Sequence, residues 1–102
     1  MKLNVFERLM LIPILPAEGD FVTLKIVKDL KDVVALSEAD FDEFEIKQKG
    51  EQVSWNLKGN EEREIVIGEK ATDIVIDSLK KLDKEKKLTE RHFTLYEKFI
   101  KE

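Results

Sequence analysis

The chain contains no cysteine and one histidine among its 102 residues. A disulfide framework, a thiolate metal site and a cysteine nucleophile are therefore all excluded. With His92 as the sole imidazole, no multi-histidine zinc site forms within one chain either. Only two prolines and four glycines punctuate the sequence. Gly50 and Gly59 read as turn positions, and neither sits in a phosphate-binding glycine loop. A Gly-x-Ser-x-Gly elbow is also missing, so a triad has no placed nucleophile. The longest apolar run, Leu9 to Leu15, is interrupted by Pro13 and falls far short of the ~20 residues a membrane span requires. It also lacks the basic start and small-residue cleavage site of a signal peptide, which points to an unprocessed cytoplasmic protein.

What the chain has in abundance is charge, at 39% of residues with a net charge of −4. Such a surface favours solubility and disfavours non-specific binding to phosphate backbones. The length suits one domain spanning residues 1–102, undivided by any low-complexity linker or internal repeat.

The stretch from Phe44 to Ile67 reads as the organiser of the fold. Phe44 to Gln48 and Gln52 to Leu57 alternate apolar and polar residues, as strands with one buried face do. Glu62 to Ile67 supplies a third segment, with Lys49-Gly50 and Gly59-Asn60 as the turns. Pairing Gln48 with Glu51 sets Ile46 opposite Val53 and Phe44 opposite Trp55, two apolar cross-strand pairs on one face. Phe44, Ile46, Val53, Trp55 and Leu57 are then expected to face the core.

Helices are expected on both sides of this sheet. Asn4 and Glu7 have capping-box spacing ahead of a first helix that should end near Leu11, because Pro13 and Pro16 push Ile12 and Leu15 towards extended geometry. Asp20 caps a second helix whose inner face is read as Phe21, Leu24, Val27, Leu30 and Val34. Ser37 and Asp40 cap a short third helix carrying Phe41. After Gly68, β-branched residues at Ile74 to Ile76 leave strand and helix both open for residues 72–77; the shared face of Ala71, Val75, Leu79 and Leu82 favours helix. Thr89 caps the last helix, with Leu88 and Phe93 at staple positions and Phe93, Tyr96, Phe99 and Ile100 as its apolar stripe. The fold class expected is α+β, a small three-stranded antiparallel sheet over about residues 44–67 with helices packed from both terminal segments.

The runs Asn4 to Leu11, Glu18 to Val27 and Leu88 to Phe99 resemble segments of small uncharacterised proteins encoded in bacteriophage and prophage regions. The resemblance implies a phage accessory protein in a host cytoplasm. It brings no catalytic signature and no functional residues.

Candidate sites are few. His92 reads as a solvated first-turn residue beside the Thr89 cap. Asp83 with Glu85 fails as a calcium loop, since Leu88 stands where glycine is required and Thr94 where a bidentate glutamate is required. Glu38, Asp40, Asp42, Glu43 and Glu45 form an acidic set that could take a divalent ion or a basic partner. The same set opposes a helix-turn-helix reading, because it would present acids to phosphates. Lys80, Lys81, Lys84, Lys86, Lys87 and Arg91 form a basic cluster interleaved with acids and without a stacking series of aromatics. Leu11-Ile12-Pro13-Ile14-Leu15 offers more apolar side chains than a short connector can bury, leaving some for a partner. Leu11, Ile12, Ile14, Leu15, Glu38, Asp42 and Glu43 are accordingly the expected protein-interaction residues. The function expected is a non-enzymatic phage or prophage accessory or structural protein that binds a protein partner or itself, without cofactor, metal, nucleic acid or membrane. The alternative is a nucleic-acid-associated regulator of winged-helix-like topology.

Overall fold

A computed structural model describes residues 1–101 as an α+β arrangement in which helices, and not the central sheet, form the core. In chain order the elements are β1 (Lys2–Leu3), α1 (Val5–Ile14), α2 (Phe21–Val34), α3 (Glu38–Glu43), β2 (Lys47–Lys49), β3 (Gln52–Ser54), β4 (Arg63–Glu64), α4 (Glu69–Lys84) and α5 (Phe93–Tyr96), the last continued by a π-helical turn over Glu97–Lys101.

The helix starts follow their caps. The Asn4 side chain accepts from the Glu7 N–H at 2.8 Å while Glu7 accepts from the Asn4 N–H at 3.0 Å, a reciprocal capping box. Asp20 accepts from Thr23 N–H at 2.7 Å, and Ser37 and Asp40 form a second box. Two helix ends close differently from the usual glycine pattern. Glu45 (φ 49°) and Lys86 (φ 59°) each occupy the left-handed position after a helix. Around them Ile46 N–H donates to Phe41 O at 3.0 Å and Lys87 N–H to Leu82 O at 2.8 Å, the long bonds of Schellman caps.

The first helix runs on to Ile14 with Pro13 inside its last turn, where the expectation ended it near Leu11. One lost N–H at a helix end is a small penalty, and it brings Leu11 and Leu15 inward on the same face. Residues 72–77 lie within α4, whose Ala71, Val75 and Leu79 are buried as the shared face required, while Leu82 is only half-buried.

The three-stranded sheet is replaced by two separate two-stranded antiparallel sheets, β1 with β4 and β2 with β3. Asn56 explains the separation. Its side chain accepts from Lys58 N–H at 3.0 Å and donates to Glu43 O at 3.0 Å, opening a 3-10 turn over Leu57–Asn60 where a hairpin turn was expected. The chain leaves that turn in the wrong direction to join β3, and Arg63 pairs with Leu3 and Glu64 with Lys2 instead.

The hairpin register also differs. Gln48 faces Val53 and Lys49 faces Gln52, so the loop is Gly50-Glu51 with Gly50 at φ 63° in its first position. Lys47 to Lys49 are all exposed, so no buried face enforces the apolar pairing and the glycine sets the turn. Phe44 is buried as expected, but at the end of α3 under the Arg63 guanidinium, 5.1 Å from its ring centre. Trp55 is half-buried and tilted against Phe6, with centroids 6.4 Å apart. Leu57 points to solvent, at 84% exposure, because it lies in the 3-10 turn and not on a strand.

The core is built from Leu3, Leu11, Leu15, Val27, Leu30, Val34, Ala71, Val75, Leu79, Leu95 and Phe99. In the C-terminal segment Phe99 is buried and Tyr96 and Ile100 pack against the core as the spacing predicts, while Phe93 faces solvent and Leu95 takes the inward place at the start of the stripe. A 3-10 turn at Glu90–His92 precedes α5, which rotates the face that follows.

Candidate protein-interaction surface

Two charged side chains are buried within this core, and they are neighbours on α1. Glu7 is 2% exposed and one of its oxygens accepts from Lys98 Nζ at 2.7 Å, linking α1 to the C-terminal helical turn. Lys98 also donates to Lys2 O at 2.9 Å and to Glu62, so one ammonium ties four parts of the chain. Desolvation lowers the Lys98 pKa, but its bonds to Glu62 and Glu7 outweigh this and hold it above the usual lysine value. Arg8 donates through Nε to Val34 O at 2.9 Å and through Nη2 to Ala35 O at 2.8 Å and Asp40 at 3.2 Å. It closes the C-terminus of α2 and holds α3 to α1. Both clusters serve the architecture: their hydrogen bonds are made within the chain, and among the described residues Glu7 Oε2 is buried without a partner.

The predicted interaction residues do not come together as one surface. Leu11 and Leu15 belong to the core and have no surface to offer, because α1 extends through them. Ile12 and Ile14 are half-buried and pack against the same core. Glu38 and Asp42 are exposed on α3, while Glu43 pairs with Arg63 at 2.5 Å. Asp40 and Glu45 of the acidic set are also engaged, with Arg8 and Asn56 respectively. Burial raises the Asp40 pKa, but the Ser37 bonds and then Arg8 outweigh it and hold the carboxyl below its ordinary value. Among the described residues no three His, Asp or Glu side chains converge as cation ligands.

His92 is half-buried and its Nδ1 accepts from Thr89 N–H at 3.1 Å, closing the turn before α5. It borders a concavity of about 320 Å³ with Leu88, Phe93 and Tyr96. Tyr96 donates to Asp83 at 3.0 Å, a bond that raises the phenol pKa. Within this hollow Tyr96 is thus paired with Asp83, and His92 Nδ1 with Thr89.

An unpartnered apolar surface lies on α2. Phe21 is 81% and Val22 63% exposed, Val33 is 46% exposed, and Val66 beside the helix is 82% exposed. Taking about 100° per residue, Val22, Ile26 and Val33 cluster on one flank, roughly 90° around the helix from the core residues Val27, Leu30 and Val34. Between this flank and the segment Val66 to Ala71 runs an open groove of about 470 Å³, lined by Ile26, Leu30, Val33 and Val66. The sequence carried the signal, since α2 bears a second apolar stripe beside its core stripe. The expectation assigned Phe21 to the core and passed over Val22 and Val33. Phe21, at the first helical position, points away because α2 is fixed by residues one and more turns later.

Comparison with protein-family models gave no match, and comparisons with curated proteins and with solved structures gave none either. No helix among the described residues is long and apolar enough to cross a membrane. The functional reading therefore rests on this surface.

Proposed function

We propose that this chain is a non-enzymatic protein-interaction module that binds through the exposed flank of α2 and the adjoining Val66 segment. The observation that carries the reading is the pair Val33 and Val66, aliphatic side chains held open to solvent on the two walls of one groove, with exposed Val22 continuing the same flank of α2 beyond it. Contiguous exposed apolar surface of this kind marks interaction sites on small soluble proteins. The groove walls are a helix and a segment that enters the next helix, so its shape is largely preformed. A phage or prophage accessory role is the context the sequence resemblance adds to this reading.

The test is light scattering coupled to size-exclusion chromatography, with Val22→Asp and Val66→Asp compared against Ile14→Asp. Loss of association in the first two, with Ile14→Asp unchanged, supports the α2 surface. The reverse pattern transfers the site to the end of α1.

A further inference from the structure

We propose that the occupant of the α2 flank is a second copy of this chain, paired antiparallel about a two-fold axis through the middle of the helix. The inference deepens the reading above and rests on it. Its basis is the distribution of charge beside the apolar stripe. Lys25, Asp29 and Asp32 project along one edge of the stripe, within about 60° of one another at 100° per residue. All three are exposed, and none forms a salt bridge among the described residues.

In an antiparallel two-fold pair, each edge of a helix faces the same edge of its mate, and the residue order is reversed. Setting Val22 opposite Val33 of the second copy brings Ile26 level with Asp29 and Lys25 level with Leu30. With a rise of about 1.5 Å per residue, Lys25 then stands about 1.5 Å along the axis from Asp29 of the second copy and about 3 Å from Asp32. A lysine side chain reaches both. The two-fold repeats the arrangement, so each Lys25 meets two carboxylates across the interface, and the stripe of one copy covers that of the other. On the opposite edge, Val66 of each copy comes to the same side and extends the apolar contact. A parallel two-fold pair would instead set each charged edge beside the opposite, Val66-bearing edge of its mate and carry Lys25 away from Asp29 and Asp32 of the second copy, so the charge order favours the antiparallel arrangement. The contact is confined to one 14-residue helix and its flank, an area that suits a concentration-dependent dimer.

Sedimentation equilibrium with charge-reversed chains tests this directly. The wild-type chain is expected to show a dimer that weakens at least about tenfold in Lys25→Asp and in the double variant Asp29→Lys with Asp32→Lys. Mixing those two variants is expected to restore a dimer, because each then supplies the charges that the other lacks. A wild-type chain that stays monomeric at the highest soluble concentration overturns self-pairing while leaving a different protein as the occupant. A dimer insensitive to all of these changes and also to Val22→Asp, with helix content unchanged by circular dichroism, overturns the α2 surface itself. A dimer lost in Val22→Asp but indifferent to the charge reversals overturns the antiparallel register.

Discussion

The Arg8 guanidinium reaches the Asp40 carboxylate at 3.2 Å while the same side chain donates to the two carbonyls that end α2. One residue of α1 thereby fixes the end of α2 and the start of α3, and so the orientation of the helix that carries the exposed stripe. Replacing Arg8 with Leu leaves Val34 O without a donor in a buried setting and Ala35 O without one in a partly buried setting. The expected cost is about 2–4 kcal/mol, read from urea unfolding. Arg8→Lys is expected to recover little of it, because a single ammonium cannot reproduce the planar fork.

Lys98 and Glu7 form the second buried pair. Lys98→Met strands a carboxylate at 2% exposure and is expected to destabilise by about 2–4 kcal/mol. Glu7→Gln keeps the acceptor that caps Asn4 while removing the charge. The double variant is therefore expected to be more stable than the sum of the singles implies, with a coupling of about 1–3 kcal/mol in a denaturant double-mutant cycle.

Stability is expected to fall at both pH extremes for identifiable reasons. The Asp40 pKa is lowered on folding, so its contribution is present above the ordinary carboxylate value of about 3.9 and is lost as pH falls through the lower folded value. Asp40→Asn should flatten that acid limb. The Lys98 pKa is raised, so its contribution is present below about 10.4 and is lost as pH climbs through the higher folded value. Lys98→Met should flatten the alkaline limb and also change the acid one, because Glu62 owes its lowered pKa chiefly to Lys98. Unfolding free energy measured against pH checks both.

Lys86 holds φ 59° after α4, a conformation that costs a side chain energy and a glycine nothing. Lys86→Gly is expected to stabilise by about 0.5–1 kcal/mol in thermal unfolding, an unusual sign for a glycine substitution.

The helices were legible because their caps and periods are local. Asn4, Asp20, Ser37 and the Ala71, Val75, Leu79 face all lie where side-chain spacing put them. The sheet was not, because alternation from Phe44 to Leu57 describes strands without saying what they pair with. Asn56 redirected the chain through a side-chain bond to Glu43 O that no local pattern announces, and the partner of β4 proved to be Lys2–Leu3, far away in sequence. The exposed apolar stripe of α2 was half legible. A helix with two apolar stripes must leave one uncovered unless a neighbour takes it, but which of the two faces the core depends on where α1 and α4 pack. The N-terminal apolar run reads as surplus surface in the sequence, but its Leu11 and Leu15 are core residues because Pro13 is accommodated within α1.

The most direct test of the α2 surface is a dilution series followed by amide chemical shifts in two-dimensional NMR. The account expects concentration-dependent shifts confined to Phe21 through Val33 and to Val66 through Lys70, abolished in Val22→Asp. Shifts centred on Glu38 and Asp42 of α3 or on Ile12 and Ile14, with α2 unaffected, would contradict it.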